Sequence, residues 1–188
     1  MKLILDNKAY IEYNKSRKEK EENNVVELER GARDVSGYRQ SPHYQLTDED
    51  IKHLKIEIRA IEADENVFIF NKGTKTGFSD RKRVIHVKGD IFSDPNSTHP
   101  RDLMSERAVL AHEYYGHYAF APSEFKATDW RDEMRASYIA AIKAPNLSDK
   151  DRAYLMLDAY ERAKEAGHHF NLSKKAREII YGYENKDE

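Results

Sequence analysis

The sequence predicts an α+β fold, and three observations carry that reading. Ile51, Leu54, Ile58 and Ile61 recur at helical spacing behind a capping sequence. Val67-Phe68-Ile69-Phe70 and Arg83-Val84-Ile85-His86-Val87 are short runs of strand-forming residues around a turn region at Gly73 and Gly77. Helical patterns then fill the chain beyond Pro100. Together they predict a short antiparallel sheet packed on a helical core.

The elements follow in order. Residues 15–34 carry six basic and six acidic side chains and few apolar ones. That pattern suits a solvated helix anchored by Tyr10, Ile11, Val25, Val26 and Leu28, or a disordered leader. Gly31 and 36–42 read as a linker. The chain therefore divides into a charged leader over 1–41 and a globular domain over 42–188. Thr47 caps the first helix of that domain, with Asp48, Glu49 and Asp50 in its first turn. Ile91-Phe92 extends the second strand past Gly89, and Asp94–Ser97 is a loop. Pro100 to Ser105 prepares the next helix. Asp129 caps a helix that runs to Lys143 and ends at Ala144-Pro145. Ser148 opens another, with Ala153, Met156, Leu157, Tyr160 and Ala163 inward and Gly167 closing it. A last helix covers 174–181.

Composition removes several classes of function. The 188 residues have a formal charge of −2, which gives no whole-protein argument for a nucleic-acid partner. There are no cysteines, so disulfides and thiolate metal sites are excluded and any metal must be held by His, Asp or Glu. Met1–Leu5 meets Asp6 too soon for a signal peptide, and no apolar run reaches membrane-spanning length. The expectation is a soluble chain, cytoplasmic as it stands, with no membrane partner.

Chemistry concentrates at His112-Glu113-Tyr114-Tyr115-Gly116-His117, which follows the apolar lead-in Ala108–Ala111. Two imidazoles beside a glutamate on one helix present a zinc ion and the base that activates its water. The usual spacing places the histidines four apart, whereas here they are five apart. On a regular helix that step turns the second ring by about 140°, against about 40° for four residues. A single widened, π-type turn would restore a common face. Gly116 is where the helix could distort, or where another backbone could approach.

A hydrolytic zinc site needs three protein ligands and an open position. The best source of the third is Trp130–Ser137 on the following helix. Its apolar face reads as Trp130, Met134, Tyr138 and Ile142. Beside it run Glu133, Ser137 and Ala140, a carboxylate above small side chains. Asp132 is placed to support a ligand histidine through its other ring nitrogen.

His-Glu-x-x-Gly-His followed by Asp132-Glu133-Met134-Arg135-Ala136 resembles the motif pair of the dipeptidyl peptidase III family of zinc peptidases. The resemblance implies His112, His117 and Glu133 as zinc ligands and Glu113 as general base, on a small zincin-like domain. It is confined to 112–137; the chain is far shorter than those enzymes, and Ser137 stands where the family has an acid. Two-lobed architecture and dipeptide release are therefore not implied. What it implies is a zinc-dependent hydrolase, a peptidase acting on a peptide or protein. Zinc would lower the pKa of a bound water, and Glu113 would take its proton as it attacks a carbonyl. Candidates for a second oxyanion donor are Tyr138, put first as catalytic, then Tyr115, His168 and His169. Val84–Val87 is a candidate edge for pairing with an extended peptide.

More faintly, the stretch around 144–148 resembles domains appended to phage minor head proteins. That likeness implies a second reading: an inactive structural or interaction module of a phage or secreted assembly that retains a metal site. It also admits a virion or a delivered effector as the setting. Simpler readings stand beside these. His168-His169 after Gly167 suits a helix end or an exposed pair, and Tyr114, Tyr115 and Tyr118 either roof the pocket or simply pack. The basic run Lys72, Lys75, Arg81, Lys82, Arg83 and Lys88 reads as a solvated turn rather than a nuclease surface.

Overall fold

A computed structural model describes residues 43–94, 96–121 and 129–184; the predicted leader over 1–41 and the boundary at 42 lie outside them. The elements are α1 (Asp48–Ala60), β1 (Phe68–Phe70), β2 (Gly77–Ser79), β3 (Val84–Val87), α2 (Pro100–Leu103), α3 (Glu106–Ala111), α4 (Trp130–Lys143), α5 (Asp149–Glu165) and α6 (Lys174–Glu184). α3 continues without a break into a π-helical segment, His112–Tyr118. The α+β class is as the sequence predicts.

Local chemistry starts the helices. Thr47, Ser105, Asp129 and Ser148 are N-caps whose side chains accept from backbone N–H groups of the first turn, satisfying donors that a helix cannot pair internally. At α1 the cap is reciprocal: Asp50 N donates to Thr47 Oγ1 (3.2 Å) while Thr47 N donates to Asp50 Oδ2 (2.8 Å). Gly167 ends α5 at φ +81°, where His168 N reaches back to Ala163 O (2.8 Å).

The sheet differs from the expectation. Its order is β1-β3-β2, with β2 antiparallel to β3 and β1 parallel to it. The sequence predicts two strands and a turn, but the turn region itself contains β2, which forms the hairpin with β3. That leaves β1 to pair along the other side of β3, in the parallel sense. β3 is therefore central and has no free edge, so it cannot take a peptide by edge pairing; β2 and β1 are the edges. Ile91 lies in a 3-10 turn, Gly89–Ile91, rather than in an extended strand.

One core joins these elements. Leu54, Ile58 and Ile61 of α1 and its cap meet Ile85, Val87, Ile91, Leu110, Leu155 and Met156, all without solvent exposure. Each such side chain contributes about 1.5–3 kcal/mol relative to remaining exposed. α4 departs from its predicted face. Trp130, Met134, Tyr138 and Ile142 are only half-buried, and the buried stripe is Asp132, Ala136, Ser137, Ala140 and Ala141. α4 lies between the π segment and α5, and small side chains permit that close approach. On α5, Leu157 and Tyr160 are half-buried, while Leu155, Asp158 and Ala159 face inward.

Candidate metal centre

The π segment resolves the spacing problem posed by the motif. Ala119 N donates to Tyr114 O (2.8 Å), a bond spanning five residues in place of four. Its wider turn brings His112 and His117 to one side, with Nε2 to Nε2 at 3.2 Å. Arginines hold the carbonyls at the segment's end: Arg135 Nη2 donates to Gly116 O (3.1 Å), and Arg83 Nη2 to Tyr118 O (3.1 Å). Gly116 serves close approach. A Cβ built there would lie 2.6 Å from Ala136 Cβ and 2.8 Å from Ala136 O, so only glycine lets α4 come this near.

That contact delivers Glu133. Its Oε2 lies 3.4 Å from His112 Nε2 and its Oε1 3.7 Å from His117 Nε2. The three side chains could hold a metal ion, their ligand atoms all lying within 4.8 Å of one another. The 3.2 Å between the two Nε2 atoms matches such an ion, and the Glu133 carboxylate straddles the position with Oε2 toward His112 and Oε1 toward His117. Two donors at about 2.0–2.1 Å from a tetrahedral zinc stand about 3.3 Å apart. Two imidazoles and one carboxylate also match what a cysteine-free chain can offer.

The outer partners assign the tautomers. His117 Nδ1 faces Asp132 Oδ2 at 3.3 Å, the supporting role expected of Asp132. A carboxylate only accepts, so the proton sits on Nδ1 and Nε2 is left with its lone pair. His112 Nδ1 lies 2.9 Å from Ser137 Oγ, whose own proton goes to Asp158 Oδ2 (2.5 Å). His112 Nδ1 is therefore the donor, and its Nε2 also presents a lone pair. Two ring lone pairs and a carboxylate converge on one small volume, an arrangement that a cation relieves.

Glu113 stands beside this group without joining it. Its carboxylate is buried and accepts from Phe78 N on β2 (2.8 Å). Burial pushes its carboxyl above the ordinary range, against the charge of His117. Burial and the neighbouring His112 charge push His117 down. Burial would also raise Glu133, but Arg162 beside it, together with the two histidines in their protonated forms, outweighs burial and holds that carboxyl below its usual value. The two glutamates thus titrate apart, a pattern typical of working sites.

The oxyanion candidates have surroundings of their own. Tyr138 is half-buried against the core, and its place five residues along a regular helix from Glu133 turns it about 140° away. Tyr115 donates its hydroxyl to Ile61 O (2.7 Å). His168 and His169 are exposed, and the His168 ring stacks on Trp130 at 4.6 Å between centroids. Tyr114 packs on Phe68 and Tyr118. Sequence reading missed Asp158 and Arg162. Arg162 donates through Nε to Asp158 Oδ2 (2.8 Å) and pairs through Nη1 with Glu133 Oε2 (3.1 Å). The signal was present: Asp151, Leu155, Asp158 and Arg162 follow one helical face, so the charged pair lies in register with a buried leucine.

Compared with known proteins, the chain matches no protein-family model, no curated protein and no solved structure. Among the described residues, no helix is long and apolar enough to cross a membrane.

Proposed function

We propose that the chain is a zinc-dependent hydrolase, a peptidase on a zincin-like scaffold, with His112, His117 and Glu133 as ligands and Glu113 as general base. The observation that carries the reading is the lone-pair convergence of two imidazoles and a carboxylate, with a second carboxylate, that of Glu113, held alongside and outside the donor set. When bound, zinc supplies the Lewis acidity that makes water a nucleophile near neutral pH. Glu113 accepts the proton of the attacking water and passes it to the leaving nitrogen. Its raised affinity for protons suits both halves of that transfer. Phe78 N fixes one oxygen of Glu113 and leaves the other available.

Substrate placement follows from the sheet. In an antiparallel pair the N–H and C=O of one residue point to the same side. Phe78 N–H points to Glu113 and is taken by it, so the edge of β2 away from β3 lies beside the base and offers the Phe78 carbonyl. An extended peptide whose N–H donates to the Phe78 carbonyl would run past Glu113. Ferrous iron also accepts two imidazoles and one carboxylate. The non-ligand base next to the site favours hydrolysis over oxygen chemistry.

The test is metal analysis of the full chain purified without added zinc, followed by a peptide library read by mass spectrometry, with Glu113→Gln beside it. We expect close to one zinc per chain in both proteins, and hydrolysis reduced by about 10²–10⁴-fold in the variant. Full zinc with no cleavage of any peptide would overturn the peptidase reading and leave a metal-binding module. Iron in place of zinc would overturn the choice of metal.

A further inference from the structure

We propose that Ser137 and Asp158 are positioning residues for the metal centre: Ser137 relays the buried Asp158 carboxylate of α5 to His112 Nδ1 and thereby locks the tautomer in which Nε2 faces the metal. The inference rests on the ligand set proposed above but concerns how one ligand is oriented. Asp158 has no solvent exposure, and Arg101 Nε (2.9 Å to Oδ1) and Arg162 Nε (2.8 Å to Oδ2) keep it an anion. A carboxylate so placed can only accept, so it claims the single Ser137 hydroxyl proton. The Ser137 oxygen then has only lone pairs to offer His112. Protonation of His112 at Nε2 would leave two acceptors facing each other at 2.9 Å in a buried place.

His117 has its carboxylate in direct contact, through Asp132. His112 reaches its carboxylate in two steps, through a hydroxyl on α4 and an acid on α5. Arg162 ties the same assembly to Glu133, so α5 arranges two of the three ligands without supplying any.

The tautomer can be read without metal or substrate. Two-bond ¹H–¹⁵N correlation spectra of the imidazoles are recorded on the full chain, stripped of metal, as wild type and as Ser137→Ala. Asp158 keeps both arginines in that variant, so the urea midpoint of the metal-free protein should stay near the wild-type value. We expect wild-type His112 in the Nδ1–H form, and loss of that form in Ser137→Ala with His117 unchanged. Zinc titration against a competing chelator should show Kd raised about 10–100-fold by Ser137→Ala. In Ser137→Ala/Asp158→Asn the Kd should be no weaker than in Asp158→Asn alone, since both act along one path. His112 protonated at Nε2 in the wild type, or an Nδ1–H form and zinc affinity retained in Ser137→Ala, would overturn the relay. A lowered urea midpoint with the tautomer retained would make Ser137 a packing residue only. None of these outcomes depends on hydrolysis, so an inactive protein would refute the peptidase reading and leave this one standing.

Discussion

α1 and the π segment are both helical, both packed on the same core, and built by opposite rules. α1 obeys local chemistry throughout: a reciprocal cap at Thr47 and Asp50, acids in its first turn, Arg59 in its last, and apolar residues at regular spacing. Segment 112–118 breaks the period, widening its turn so that His112 and His117 face one point. What sustains the irregular turn comes from elsewhere in the chain: Arg135 and Arg83 on its terminal carbonyls, Ala136 against Gly116, and Phe78 on Glu113. A regular helix can be specified by its own residues. A distorted one that carries chemistry is specified by its neighbours.

The comparison predicts unequal responses to mutation. Gly116→Ala should have the largest effect, because the new methyl meets the Ala136 backbone rather than a movable side-chain end. Overpacking of this kind costs about 1–3 kcal/mol. Urea unfolding should show that loss, and chelator competition should show weaker zinc binding alongside it. Wild-type values for both would mean that α4 does not need this approach. Thr47→Ala should cost about 1 kcal/mol, the usual value of an N-cap, and leave zinc affinity untouched. A change in zinc affinity there would erase the distinction between the two regions.

Glu113→Gln sharpens the comparison through pH. The folded-state affinity of Glu113 for its proton is raised, so the stability it confers is present below its unfolded pKa and is lost as pH rises through the folded value. Glutamine has no such dependence and can still accept from Phe78 N. Metal-free Glu113→Gln should therefore gain on wild type as pH rises from 4 to 8, by urea unfolding at each pH. A constant difference across that range would contradict the burial of an ionisable group at this position.

How much was legible follows from the same contrast. Helix caps at Thr47, Ser105, Asp129 and Ser148 depend on one side chain and the next three backbone groups, so the sequence displays them. The need for a widened turn was also readable, since five-residue spacing admits no regular solution. The buried face of α4 was not. Hydrophobicity favours Trp130 and Met134, whereas close packing of three helices selects Ala136, Ser137 and Ala140. β2 was hidden because Gly77–Ser79 has little strand character of its own and is held by pairing with β3. Asp158 and Arg162 went unread although they continue the face of Leu155, and α2 and α4 close over Asp158.

The most direct measurement is a zinc-loaded crystal of the full chain, with anomalous scattering recorded on both sides of the zinc absorption edge. The account predicts one strong difference peak about 2.0–2.2 Å from His112 Nε2, His117 Nε2 and a Glu133 oxygen, with the Glu113 carboxylate outside bonding distance. A peak at another cluster such as His168-His169, or zinc ligated by Glu113 in place of Glu133, would contradict it.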